Sequence, residues 1–141
     1  LEEIRACGAK QVVVTGGEPL LHPLDPLTTV LRSAGLEIWL ETSGTEPLSG
    51  TFDWICLSPK RHKQPLSEIY ARADELKIIV GEPGDFEFAR QCAERVGAEC
   101  RLCLQPQWEN REAITPAVVE YIRKHPQWRL SLQTHKYLEI P

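Results

Sequence analysis

Short apolar runs alternate with longer amphipathic stretches along this chain, and the alternation predicts strand and helix in turn. Gln11–Val14 ends in three consecutive valines, which leave no polar side, so it reads as a strand buried on both faces. Residues 36–41, 52–57, 76–80, 101–104 and 128–133 read as further strands. Leu24, Leu27, Val30, Leu31 and Ala34 recur at helical spacing, with Asp25-Pro26 at the start and Gly35 past the end, which predicts a helix over 24–34. Helices are also expected over 66–72, over 85–96 with Asp85 as its cap and Gly97 as its stop, and over 115–124 with Thr115-Pro116 at its start. Residues 1–7 read as the tail of a helix closed by Gly8, and residues 134–141 as a tail. Alternation with short connections implies right-handed βαβ units. The expected fold class is α/β, a partial (β/α) barrel with a mostly parallel, curved sheet, organised as a single domain over residues 1–141.

The unusual polar residues fall directly after strands. Thr15-Gly16-Gly17-Glu18-Pro19 follows the first, Glu41-Thr42-Ser43-Gly44-Thr45 the second, Ser58-Pro59-Lys60 the third and Gln105-Pro106-Gln107-Trp108 the fifth. In a parallel sheet the carboxyl ends of the strands lie along one edge, so these segments are expected to meet in one polar rim around a cavity. Paired glycines suit a sharp bend or the close approach of a ligand to the backbone, and Pro19 keeps Glu18 extended. Carboxylates, hydroxyls, an ammonium, amides and an indole suit a zwitterionic, nucleoside-like ligand. Neither Gly-x-x-x-x-Gly-Lys-Ser/Thr nor Gly-x-Gly-x-x-Gly occurs, so no phosphate cradle is expected.

Composition narrows this picture. With 42% hydrophobic and 26% charged residues the chain has the make-up of a globular protein, and a net charge of −4 gives no basic field for direct nucleic-acid binding. No apolar run is long enough to cross a membrane. The five cysteines, odd in number and scattered, fit reduced thiols in the cytoplasm better than a disulfide framework. Cys100 and Cys103 lie three apart on an expected strand, where they point to opposite faces and cannot share a metal, so all five are read as structural. His22, His62 and His125 read as surface or helix-end residues. Trp39, Trp54 and Trp128 read as core. The chain opens on Leu1-Glu2-Glu3-Ile4, in what reads as mid-helix, and contains no methionine, which predicts that it begins inside a longer protein.

Val-Thr-Gly-Gly-Glu-Pro behind a strand resembles the motif with which radical S-adenosylmethionine enzymes hold the methionyl amino group. With Glu-Thr-Ser-Gly-Thr, Leu-Ser-Pro-Lys, Leu-Gln-Pro-Gln and the ending Gln-Thr-His-Lys-Tyr-Leu-Glu-Ile-Pro in that order, the set resembles the 7-carboxy-7-deazaguanine synthase family from Gln11 to Pro141. The resemblance implies the partial barrel of the radical S-adenosylmethionine type, a homodimer, and a lyase of queuosine (7-deazapurine) biosynthesis, a tRNA modification pathway. It further implies a [4Fe–4S] cluster, S-adenosylmethionine, Mg²⁺ and an external reductant such as flavodoxin. The implied reaction is the ring contraction of 6-carboxy-5,6,7,8-tetrahydropterin to 7-carboxy-7-deazaguanine with release of ammonia. By the same resemblance Gly17, Glu18, Ser58, Pro59, Lys60, Gln105, Pro106, Gln107 and Trp108 would contact S-adenosylmethionine, and Thr15 and Pro141 the pterin. His135 divides evenly between a plain surface tail and the place near the site that the family resemblance implies for it. The family's closely spaced cluster cysteines have no counterpart here, so the cluster and Mg²⁺ ligands are expected before Leu1. The alternatives are a glycyl-radical-enzyme activase of the same superfamily and a non-catalytic remnant binding domain.

Overall fold

The computed structural model describes residues 1–140; Pro141 lies outside the described residues. Six strands form one parallel sheet in the order of the chain: β1 (Gln11–Val14), β2 (Glu37–Thr42), β3 (Trp54–Leu57), β4 (Glu75–Val80), β5 (Arg101–Pro106) and β6 (Trp128–Leu130). The helices are α1 (Glu2–Ala6), α2 (Asp25–Ser33), α3 (Ser67–Arg72), α4 (Gly84–Ala93), α5 (Arg111–Lys124) and α6 (Thr134–Tyr137). Every crossover from β1 to β5 advances one strand in the same direction. With right-handed connections this stacks the helices on one face of the sheet and leaves the other open, the singly wound arrangement of a (β/α) barrel. The expected fold class is therefore borne out.

One-sided coverage governs where side chains go. On the helix face Leu40, Ile55, Leu57, Leu76, Ile78, Val80 and Leu104 pack with Leu24, Ile69, Tyr70, Ala89, Cys92, Ile114 and Val118 into the core. The intervening residues of β2 and β4, namely Glu37, Trp39 and Glu41, and Glu75, Lys77 and Ile79, turn to the open face and are only partly covered. Two expectations change for this reason. Gln11–Val14 is not buried on both faces: it is the edge strand, paired on one side with β2, and Val13 is 49% exposed. Trp39 and Trp54 are not core either; they stack on the open face at 5.3 Å, with the Arg101 guanidinium over the Trp54 ring. Trp128, as expected, is buried.

Two helix starts also differ. The cap of α4 is Pro83; the Asp85 carboxylate, from inside the first turn, accepts the amides of Gly81 and Glu82 at 2.8 and 3.0 Å and so closes the loop after β4. Helix α5 begins at Arg111, four residues ahead of Thr115, and contains Pro116. The Thr115 hydroxyl donates to the Arg111 carbonyl at 2.6 Å inside that turn, and a 3₁₀ turn over Trp108–Asn110 leads directly into it.

Candidate functional site

The carboxyl ends of the strands enclose a cavity of about 490 Å³, within the range of small-molecule sites, open to solvent between the loops. Thr15 and Gly17 after β1, Ser58 and Lys60 after β3, and Gln105 at the end of β5 all line it, as do Glu41, Thr42 and Ser43 from β2 and the residue beyond it. Segments remote in the chain thus share one lip because each ends a parallel strand. Ser131, Leu132, Gln133 and His135 close the far side, which places His135 at the cavity rather than on a plain surface tail. The Ser131 hydroxyl meets Gln105 Oε1 at 3.3 Å, tying the two sides together.

Glu18 stands behind this lip and does not line the cavity. Oε1 accepts the Leu20 amide at 3.1 Å and the Thr42 hydroxyl at 2.6 Å; Oε2 accepts the Ser43 amide at 2.8 Å and the Ser43 hydroxyl. Burial raises its pKa, but the four donors outweigh burial and hold the carboxylate below its usual range. The loop after β1 is thereby pinned to the end of β2, with Gly16 at φ +103°, a conformation that favours glycine, and Gly17 presented to the cavity.

The remaining expected site residues divide. Pro59 and Pro106 are buried beside the lining residues without lining the cavity themselves. Gln107 and Trp108 lie outside it: Gln107 packs against Gly81, and Trp108 lies edge-on to Tyr137 at 5.0 Å, with the Arg111 guanidinium 4.1 Å from its ring centre. Gln105-Pro106 still belongs to β5, so the loop proper starts only at Gln107, which turns it away from the lip.

Sequence reasoning missed Glu75, Lys77 and Ile79, which form the floor. Polar and apolar residues alternate only over Glu75-Leu76-Lys77-Ile78; the apolar run Ile78-Ile79-Val80 and the rule that an all-parallel strand is ordinarily buried on both faces masked the signal. The Lys77 ammonium donates to Glu41 Oε1 at 2.8 Å. Burial disfavours that ammonium, yet the surrounding negative groups, Glu41 and Glu75 among them, hold its pKa above the usual lysine range. Lys60 shifts the other way, lowered first by desolvation and then by the neighbouring Lys77 ammonium.

The cysteines do not fit an iron–sulfur cluster. Among the described residues no group of three His, Cys, Asp or Glu side chains is placed to hold a metal ion. Cys56, Cys92 and Cys103 are buried, and burial pushes the Cys100 and Cys103 thiols up to about 11. Burial thus favours the protonated form of the Cys100 and Cys103 thiols at neutral pH. Among the described residues no helix is long and apolar enough to cross a membrane.

A singly wound parallel sheet with a polar cavity at its strand ends defines a (β/α)-barrel-type protein with a small-molecule site. The chain is 48% identical over 133 residues to a 7-carboxy-7-deazaguanine synthase of Flavobacterium psychrophilum, covering 94% of this chain and 63% of the relative. It is 38% identical over 156 residues to the 7-carboxy-7-deazaguanine synthase of Prochlorococcus marinus, covering 94% of this chain and 69% of the relative. The crystal structure of QueE from Escherichia coli superimposes with a TM-score of 0.80 at 34% identity, over 94% of this chain and 61% of that one. No protein-family model matches the chain. It belongs to the 7-carboxy-7-deazaguanine synthase family, and spans about three-fifths of the length of the first of these relatives.

Proposed function

We propose that this chain is the ligand-binding body of a 7-carboxy-7-deazaguanine synthase, a lyase that converts 6-carboxy-5,6,7,8-tetrahydropterin to 7-carboxy-7-deazaguanine with loss of ammonia, in the cytoplasm and in the supply of queuosine. The observation that carries the reading is the convergence of the loops after β1, β2 and β3 with the end of β5 on one cavity, in a chain 48% identical to such an enzyme. Residues 1–141 are its core domain, and the segment that binds the [4Fe–4S] cluster and Mg²⁺ lies elsewhere in the protein, since among the described residues no three metal-ligating side chains come together. When bound, S-adenosylmethionine and the cluster supply the radical that withdraws a hydrogen from the pterin.

This chain's own residues bind and orient. The bend at Gly16-Gly17, backed by Glu18, brings main-chain amides and carbonyls to the cavity edge, where the amino acid end of S-adenosylmethionine is held. The Ser58 hydroxyl and Lys60 ammonium suit its ribose and carboxylate; Gln105, with Pro106 behind it and Gln107 and Trp108 at the margin, suits its base. Thr15 and Pro141 are assigned to the pterin. A hydroxyl-lined, charge-balanced cavity holds a zwitterion without leaving a buried charge unpaired. A homodimer and an external reductant such as flavodoxin complete the proposal.

The test is the protein expressed from its complete reading frame and reconstituted anaerobically with iron and sulfide. With S-adenosylmethionine, Mg²⁺ and reductant it is expected to turn 6-carboxy-5,6,7,8-tetrahydropterin into 7-carboxy-7-deazaguanine. Cleavage of S-adenosylmethionine without that product would place the protein with the activases instead.

A further inference from the structure

Lys77 is an odd residue for its position. β4 lies between β3 and β5 in the middle of the sheet, and Lys77 sits halfway along it with its side chain only 13% exposed. It does not pair with an adjacent strand. Instead its ammonium passes over β3 to Glu41 on β2, where it donates at 2.8 Å. The strand it crosses makes this possible: in the sheet register Glu41 stands beside Cys56, and Cys56 beside Glu75, two residues before Lys77, so the ammonium reaches back diagonally past a small side chain. A half-buried ion pair of this kind is weak grounds for stability, because desolvation offsets most of the attraction. Its consequence is geometric. Oε1 of Glu41, a residue of the cavity wall, is held by Lys77, while Oε2 has no hydrogen-bond partner among the described residues.

Glu41 is also the wall's most available carboxylate. Its side chain is 42% exposed, against 17% for Glu75, and Glu18 is committed behind the lip. On β2 it lies one pleat deeper than Ser43, away from the loops that form the rim. A fixed carboxylate at that depth selects a ligand edge made of adjacent N–H donors. An adenine edge sets one amino group between ring nitrogens that accept, and these repel a carboxylate. The amino-pyrimidinone ring of a pterin offers its ring N–H and exocyclic amino group side by side, which a carboxylate accepts together.

We propose that Lys77 is a positioning residue for the pterin: by holding one oxygen of Glu41 across β3, it aims the carboxylate at the adjacent N–H groups of the substrate's amino-pyrimidinone edge. This rests on the reading of the cavity as a synthase site.

The experiment uses the full-length holoenzyme with Lys77→Met, Lys77→Arg, Glu41→Gln and the Lys77→Met/Glu41→Gln pair. K77M is expected to raise KM for the carboxy-tetrahydropterin about tenfold or more, with KM for S-adenosylmethionine within about twofold of the parent. K77R, which keeps the charge and the reach, recovers most of that loss. In the double variant the second substitution adds little, since the lysine acts only through Glu41. Calorimetric binding of the pterin in the absence of S-adenosylmethionine gives the same order of affinities without turnover. K77Q supplies the same readout if K77M fails to fold.

A pterin KM unchanged in K77M, equal losses for both ligands, or additive effects in the double variant would overturn the inference while parent turnover still upheld the synthase. A parent enzyme that neither binds nor converts the pterin would remove both.

Discussion

At the scale of single residues, the carboxylate of Glu18 acts as a strut between the loop after β1 and the end of β2. Each of its oxygens accepts one main-chain amide and one hydroxyl. An amide in its place turns an NH₂ group towards one of those donors, so Glu18→Gln leaves either the Leu20 or the Ser43 amide without an acceptor. A loss of about 1–2 kcal/mol in urea unfolding is expected, together with weaker S-adenosylmethionine binding as the Gly16-Gly17 bend loosens. Because folding lowers the Glu18 pKa from 4.5, its contribution is present above that value and fades as the pH falls through the lower folded one. The variant's stability should therefore depend less on pH in the acid range, which urea titrations between neutral and acid pH would read; an unchanged pH dependence would count against the strut.

Gly44 has a different physical reason. Its φ is +74°, and a Cβ there would stand 2.6 Å from Leu57 Cδ1 and 3.0 Å from Pro65 Cβ, both in the packed interior. Gly44→Ala is expected to cost about 2–4 kcal/mol by strain and overpacking together, measured by denaturant unfolding.

At the scale of elements, the strands begin with carboxylates that set their pairing. Asp53, just before β3, accepts the Ile38 amide of β2 at 2.9 Å, and Asp74, just before β4, accepts the Ile55 amide of β3 at 2.8 Å. Each closes a ladder end that would otherwise lack a partner and helps to hold the register, and a one-residue slip would turn the core face outward. Asp74→Ala should lower stability by about 1–2 kcal/mol, and hydrogen exchange at the Ile55 amide should rise more than at the centre of β4. The strands and α2 were readable from period and punctuation, since Leu24, Leu31, Ile38 and Leu40 recur as buried positions. The starts of α4 and α5 were not. Asp85 has the chemistry of a cap but serves the preceding loop, and Pro116 reads as a helix start although the tertiary contacts of Trp108 to Asn110 begin the turn earlier.

At the scale of the whole molecule, the singly wound sheet explains why the site is where it is. Helices cover one face only, so charged groups can occupy the other, and the strand ends meet in a cavity. The same fact explains which expectations changed. A run of valines at β1 looked fully buried because composition carries no information on whether a strand lies at an edge. Trp39 and Trp54 looked like core because an aromatic on an open face has the same period as one inside.

From the sequence alone came the α/β class, the order of its elements, and the strand-end segments that supply Thr15, Gly17, Ser58, Lys60 and Gln105, all of them properties of local period and of residues adjacent in the chain. Tertiary structure alone decided that Glu18 stands behind the lip, that Gln107 and Trp108 turn away from it, and that Lys77 reaches Glu41 over Cys56. Those depend on which strands are neighbours and which face is left open, relations between residues up to 36 positions apart that no local pattern encodes.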